Sequence, residues 1–377
     1  MNFNQFVSGR WVKQFEYRSF SPTLINQEWT WDDPQINTLL ERATQAIGEL
    51  NAFSLIVPDV DLFIQMHVAK EANTSSRIEG TQTDFAEAIR PVEFILPERR
   101  DDWQEVQNYI QAMNGAIGDL ERLPLSNRLL NETHAVLLQG VRGEQKFPGE
   151  FRRSQNWIGG SGPADAAFVP PHHDDLPDLM GDLETFWHNE TIQVPHLIRI
   201  ALSHYQFETI HPYCDGNGRI GRLLITLYLV SKGLLRKPTL YLSAFLEKHK
   251  GAYFDALTRV RVSNDMGHWV RFFLTAVLET ARNGRLTFEG ILKIRQEVEQ
   301  STLSLGKRAQ NARQLLSRLY SHPIVTPNEV ADLLQVTHQT ASTLIHDFET
   351  LGILEKSIKL ERSQAYVFRR YFDLFLG

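Results

Sequence analysis

Apolar residues recur at three- and four-residue intervals along most of the chain, the spacing of one buried helix face. Over residues 34–53 the set is Ile36, Leu39, Leu40, Ala43 and Ile47; over 61–79 it is Leu62, Ile64, Val68 and Ala72. Residues 82–122 carry it again through Phe85, Ala88 and Ile89, then Val106, Tyr109, Ile110 and Met113, with Pro91 and Pro97 as breaks. A further helix is predicted over 125–138. Leu197, Ile200, Ala201 and Tyr205 predict another, and the nearly unbroken apolar run at 223–230 predicts one that is buried all round. Trp269, Phe272, Phe273 and Val277 place a helix over 260–280, and the charged, proline-free residues 281–308 read as a connecting helix. Two stretches depart from the helical period. Residues 1–34, with Trp11, Phe20, Trp29 and Trp31 among turn formers, read as an irregular strap across a helical body. Trp157-Ile158 and Ala167-Phe168-Val169, separated by a Gly/Ser/Pro-rich turn and closed by Pro170-Pro171, predict a short β-hairpin. The expected fold class is mainly α.

At 377 residues the chain has room for two or three units. A formal net charge of −6 carries no polycation signature, which argues against broad non-specific nucleic-acid binding. The one cysteine, Cys214, rules out an internal disulfide and points to a reducing compartment. The first residues lack a charged region followed by an apolar one, and no apolar run reaches membrane-spanning length, so a cytoplasmic protein is expected.

Chemistry concentrates in His211-Pro212-Tyr213-Cys214-Asp215-Gly216-Asn217-Gly218-Arg219-Ile220-Gly221-Arg222, between the helix ending near 210 and the buried run at 223–230. Gly216 and Gly218 let the backbone approach a ligand, and amide N–H groups at the start of the next helix make an anion nest. Arg219 and Arg222, three apart, lie on one side of the first turn and can both fork onto phosphate oxygens. Asp215 offers a hard oxygen to a phosphate-bridging Mg²⁺, and His211 is the natural general base. The letters from Gly216 to Gly221 also satisfy the dinucleotide fingerprint G-x-G-x-x-G. That site needs a preceding strand and an acid some 20 positions on. Here a helix precedes and the region of Tyr241 has no acid, so a dinucleotide site is rejected, as is a Walker loop, since no G-K-[ST] follows.

This run resembles the signature of the Fic family (filamentation induced by cAMP), H-P-F-x-[D/E]-G-N-G-R-x-x-R, with Tyr213 for the usual Phe. The resemblance implies a Fic-type helical bundle that transfers AMP from ATP to a protein hydroxyl. On that reading His211 deprotonates the target Ser, Thr or Tyr, and Asp215 holds Mg²⁺. Asn217 and the amides of Gly216 and Gly218 grip the phosphates, with Ile220 and Gly221 completing the ATP-binding turn, and Arg219 and Arg222 take the β/γ end. A phosphate-transferring subgroup has Lys near Gly218 and lacks the second arginine; this chain has Gly218 and Arg222, which favours AMP transfer.

Ser75 through Gly80 resemble the family's inhibitory motif [S/T]-x-x-x-E-[G/N]. Ser75 and Glu79, four apart, share a helix face. The resemblance brings Glu79 onto Arg222, a bidentate carboxylate on the guanidinium that should hold the γ-phosphate. Alternatively, Glu79 orients a water that removes AMP. The hairpin at 157–170 matches the family's flap, whose edge pairs with the backbone of a target protein. Tyr253, beside Phe254 where the family has a second Tyr, is placed on the adenine side; Lys250 stands for the common Arg. His172-His173-Asp174-Asp175 looks metal-like but is assigned no metal, and Cys214 is read as a bystander.

Residues 325–334 and 336–351, ending at Gly352, read as a helix-turn-helix, with Ile353-Leu354 and residues 365–368 as strands of a wing. The second helix has no Arg or Lys from Thr337 to Leu351. From Val325 onward Lys356, Lys359, Arg362, Arg369 and Arg370 face Glu329, Asp332, Asp347, Glu349, Glu355, Glu361 and Asp373, a poor footprint for DNA. Protein contact, a homodimer included, is the expected use; DNA binding is the alternative. The expected division is a strap and first helix at 1–50, a Fic core at 51–280 with the inhibitory helix at about 61–80, a connecting helix at 281–308 and a winged helix at 309–377. The expected function is an autoinhibited protein adenylyltransferase that uses ATP and Mg²⁺, releases pyrophosphate and also modifies itself. The alternatives are an ATP-sensing transcriptional regulator and an AMP-removing enzyme or phosphotransferase on the same fold.

Overall fold

The computed structural model describes residues 1–357 and 364–376; Lys359, Glu361 and Arg362 of the expected wing lie outside the described residues. The N-terminal stretch is not irregular. β1 (Gly9–Lys13) and β2 (Arg18–Pro22) form an antiparallel hairpin in which Trp11 faces Phe20 and Lys13 faces Arg18. The four-residue turn between them carries no Gly, Pro or Asn, and so gives no turn signal in the sequence. Phe20 N–H also donates to the carbonyl of Val169 at 2.9 Å, and Ile158 pairs antiparallel with Phe168. The expected flap is thus one edge of a four-segment ribbon that the N-terminal hairpin completes.

The body is helical. α1 (Pro34–Ile56) starts at Asp33, whose side chain accepts from Gln35 N–H. α2 (Val60–Ile78) is buried along most of its second half, polar residues included: Glu71, Asn73, Thr74, Ser75 and Ser76. α3 (Phe85–Ala88) is a single turn closed by a capping box between Asp84 and Glu87. α4 (Arg100–Asp119), α5 (Asn127–Leu137) and α6 (Leu176–His188) follow. They enclose α7 (His196–Ile210) and α8 (Asn217–Ser231), whose side chains are buried on nearly every side, as the continuous apolar run requires. The loop joining these two central helices is the signature stretch. α9 (Ser243–Lys248) and α10 (Lys250–Ser263) lead to α11 (Met266–Thr302).

α11 corrects the expected boundary at 280/281. The sequence turns from apolar to charged there, yet one unbroken helix of 37 residues crosses it. Phe288, Ile291, Ile294 and Val298 keep a buried face running after the composition shifts. The chain breaks at Gly306, where φ is 55° and ψ −118°. α12 (Ala309–Ser321) packs back on α2. Then come β3 (Ile324–Val325), α13 (Pro327–Leu334) and α14 (His338–Thr350), with β4 (Glu355–Lys356) and β5 (Tyr366–Val367) in a sheet of order β3-β5-β4, and α15 (Arg369–Phe372). Thr326 and Glu329 form the capping box of α13, and Thr337 caps α14. Tyr320 and Tyr371 pack on Phe63, Phe372 stacks on Phe85, and Phe375 meets His67. Among the described residues no helix is long and apolar enough to cross a membrane.

Candidate active site

α7 ends in a left-handed residue, His211, with φ 50° and ψ 60°, which turns the chain out of the helix. Gly216, at φ 75°, turns it back into α8. Between them Asn217 pins the loop: its Oδ1 accepts from Tyr213 N–H at 2.8 Å and its Nδ2 donates to the Tyr213 carbonyl at 2.8 Å. Both ends of an amide expected on the phosphates are therefore engaged in loop structure. His134, stacked on Tyr213, accepts from Gly149 N–H and bonds the Asp215 carbonyl at 3.0 Å.

His211 is half-buried, and its Nδ1 has no hydrogen-bond partner among the described residues. Burial lowers its pKa to about 4, helped by Arg261 and Arg152 and opposed by Glu79. The imidazole is thus neutral at pH 7 and able to accept a proton. Asp215 is half-exposed, with Oδ1 2.6 Å from Gly216 N–H and 3.6 Å from Arg219 Nη2.

The two arginines face different partners. Arg222 donates from Nε to Ser75 Oγ at 2.8 Å, and from Nη2 to the Ser75 carbonyl at 3.0 Å and Glu79 Oε1 at 2.6 Å. Burial favours the protonated form of the Glu79 carboxyl, but the charge and hydrogen bond of Arg222 outweigh it and hold the pKa below the usual value. A Cβ built on Gly218 would overlap Glu79 Oε1, so the carboxylate lies directly over the glycine at the start of α8. Arg219 instead bonds buried Glu105 of α4 at 3.1 Å, and Arg142 meets the same carboxylate at 3.4 Å. The last turn of α2 is tied down by Lys250 Nζ on the Ile78 carbonyl at 2.7 Å and by the pair Arg77–Glu247.

Other expected positions fall elsewhere. Ile220 is a core side chain. A Cβ on Gly221 would strike Oε1 of Glu208, a buried carboxyl whose pKa burial pushes up to about 7. Tyr253, expected on the adenine side, is 1% exposed and its hydroxyl meets His204 Nε2 at 2.9 Å; Phe254 is the ring that reaches solvent there. His172, His173 and Asp174 bring ligand atoms within 4.8 Å of one another beyond the flap. Glu105, His134, Arg152 and Asn156 were not anticipated. They act on main chain or on another buried charge, and no residue pattern announces that.

Residues 37–118 match the Fic/DOC family N-terminal domain and residues 124–229 the Fic/DOC family domain. The chain belongs to the Fic family. The protein adenylyltransferase Fic of Drosophila willistoni is 32% identical over 272 residues, spanning 70% of this chain and 51% of that protein. Its counterpart in Aedes aegypti is 36% identical over 126 residues, 33% of this chain and 22% of that one. The chain thus spans about half of the length of the first of these relatives and about a fifth of the second. A Fic family protein from Desulfovibrio desulfuricans shares the fold with a TM-score of 0.56 at 20% identity, over 91% of this chain and 98% of that one. Fic-1 from C. elegans does so at 0.51 and 18%, over 70% and 75%. The Fic match ends at the close of α8 and so contains the loop, while α2 falls in the N-terminal match.

Proposed function

We propose that this Fic protein is a protein adenylyltransferase, moving AMP from ATP to a Ser, Thr or Tyr hydroxyl and held in check by Glu79. The observation that carries the reading is the carboxylate over Gly218, bonded to Arg222: an anion already sits where the helix start and guanidinium would hold phosphate. The relatives named protein adenylyltransferase Fic support the chemistry. Asp215 fits Mg²⁺, since its half-exposed carboxylate beside the anion seat is the one-carboxylate donor set that this ion uses when it shares phosphate oxygens. Bound there, the ion would neutralise phosphate charge.

In the transfer, the neutral His211 imidazole takes the hydroxyl proton as that oxygen bonds the α-phosphorus. The bond from the α-phosphorus to the bridging oxygen breaks, and pyrophosphate leaves on the side of Arg222. The helix-start N–H groups stabilise the developing charge. The extended target segment adds to the open side of residues 157–159, since the other side of the flap is taken by β2. While Glu79 holds Arg222, the γ-phosphate lacks its guanidinium and ATP is misaligned. The C-terminal helices and small sheet are read as a winged helix used for protein contact, because α14 carries no Lys or Arg.

The test compares wild type, Glu79→Gly and Glu79→Gly/His211→Ala with α-phosphate-labelled ATP and Mg²⁺. Label on the protein in Glu79→Gly alone is expected. Equal labelling of all three would overturn both roles, and product analysis separates AMP transfer from phosphate transfer or AMP removal.

A further inference from the structure

Arg152 and Asn156 stand outside the signature loop, yet they hold most of its main chain. Arg152 is 2% exposed, and no carboxylate among the described residues pairs with it. Its Nε donates to the His211 carbonyl at 3.0 Å, and its Nη2 to the carbonyls of Ile210 at 3.4 Å and Pro171 at 2.6 Å. Nη1 donates to the Ser154 carbonyl at 3.0 Å, and the Arg152 main-chain N–H to that of Pro212 at 2.9 Å. Asn156 Nδ2 reaches the carbonyls of His211 at 3.0 Å and Tyr213 at 2.9 Å. The carbonyls of residues 210, 211, 212 and 213 are thus all taken by donors from residues 152 and 156.

A guanidinium buried without a counter-ion is costly, and burial lowers its pKa to about 10, which still leaves it protonated at pH 7. Its rigid fork of donors can fix several carbonyls at once, which a lysine cannot. What it fixes is the backbone of His211, in a left-handed conformation that residues with a side chain resist. The same donors lead to the flap. Asn156 immediately precedes Trp157-Ile158, Pro171 closely follows Phe168-Val169, and Gln155 Nε2 bonds the Pro170 carbonyl at 3.0 Å. Both strands of the flap therefore spring from residues bound to the clamp.

We propose that Arg152 and Asn156 are positioning residues for the transfer, a clamp that holds His211 in its left-handed conformation and sets it at a fixed distance from the strand that receives the target segment. The proposal rests on the adenylyltransferase reading above. A hydroxyl seated on the flap is registered to the base through two side chains, so base and acceptor move together or not at all. Arg261 and Glu79 are the other charged groups acting on the imidazole. Arg261 also touches the flap, its guanidinium 4.1 Å from the Phe168 ring centre, but its hydrogen bonds go to Thr209 and the Glu208 carbonyl of α7 rather than to the carbonyls of residues 210–213.

The test adds Arg152→Lys, Arg152→Gln and Asn156→Ala singly to Glu79→Gly. Transfer from labelled ATP is measured beside ATP binding by calorimetry, the thermal midpoint, and the His211 imidazole signal by ¹⁵N NMR, assigned by difference with His211→Ala. Arg152→Lys keeps the charge and loses the fork; transfer should fall about tenfold to a hundredfold, the scale of a misplaced catalytic group, with ATP affinity kept within about twofold. Arg152→Gln should fall at least as far, and Asn156→Ala, which leaves the Arg152 bonds, about fivefold. The His211 signal should shift in both Arg152 variants. Unchanged transfer in Arg152→Lys would overturn the clamp. So would transfer and ATP affinity falling together with the thermal midpoint, the mark of a merely structural role. If Glu79→Gly transfers nothing, the adenylyltransferase reading fails instead, and an unmoved His211 signal in Arg152→Lys would still overturn the clamp on its own.

Discussion

Arg219 and Arg222 lie three residues apart on α8, and each meets a glutamate from another helix, but the two pairs differ in what holds the carboxylate. Glu105 sits within α4, its side chain 2% exposed, and Arg142 engages it from the other side. Glu79 is the cap residue at the end of α2, 37% exposed, with Arg222 as its ion-pair partner. Burial wins at Glu105 and holds its pKa above the usual carboxylate value despite Arg219 and Arg142; at Glu79 the field of Arg222 wins and the pKa is lowered. On the proposed reading, the same chemical pair is a fixture in one place and a removable stopper in the other. On that reading position within the helix matters, because the end of a helix can yield where its middle cannot. Release of Glu79 would have to loosen the ties of Lys250 and Arg77 on the last turn of α2.

The contrast can be broken most forcefully at Glu105. Glu105→Ala leaves buried Arg219 with only the more distant Asp215, at 3.6 Å, and should cost about 3 kcal/mol of stability in urea unfolding. A loss under about 1 kcal/mol would mean that the pair is solvated after all. Next comes Gly218→Ala, whose Cβ would overlap Glu79 Oε1 and come within 2.9 Å of Arg222 Nη1. It should expel the stopper and crowd the seat beneath, so calorimetry should find ATP binding weakened about tenfold to a hundredfold, the cost of overpacking. Unaltered ATP affinity would place the phosphates elsewhere.

Ser75→Ala removes one acceptor from Arg222 and leaves two. A stability loss of about 1 kcal/mol is expected, with partial release of self-labelling; full silence would show that Glu79 alone suffices. The smallest effect is that of pH. Because its native pKa is lowered, Glu79 contributes stability that is present above its ordinary pKa and lost only as pH falls through the lower native value. Glu105 has the opposite sign: its raised pKa costs stability as pH rises through the native value and eases on acidification. Lowering the pH from 7.5 to about 5.5, which stays above the ordinary glutamate pKa, should therefore leave the wild-type chain unlabelled. Appearance of label over that range would contradict the assignment of Arg222 as the group that holds Glu79 ionised.

The loop at 211–222 was legible because it is a short contiguous run whose residue types carry their own chemistry; the contact of Ser75 and Glu79 with Arg222 was legible only through the resemblance to the family's inhibitory motif. Glu105, Arg152 and Asn156 were not, since donors aimed at carbonyls and charges matched across 55 or more residues leave no local pattern. The helical periods of α1, α2 and α5 could be read directly, because one face of each is apolar. β1 and β2 were missed because Lys13 and Arg18 meet across a turn with no turn residues. The break expected at 280/281 was a change of composition without a change of buried face. Asn217 shows the reverse limit: its place in the motif was plain, but the structure spends its amide on Tyr213.

α11 is about 55 Å long at 1.5 Å per residue, and its two ends serve different cores. Near its start Trp269 and Phe273 pack on His204 beside α8; further along, Phe288 meets His67 and Gly290 lies under Leu374. With Phe63 and Phe85 also covered by the C-terminal aromatics, the tail and the body share one continuous hydrophobic interior. Such a shared interior couples the tail to the body, so the tail is expected to melt with the body rather than ahead of it. A chain shortened after α11 would bare three aromatic faces of α2, α3 and α11 at once and be lost to aggregation before its chemistry could be asked about.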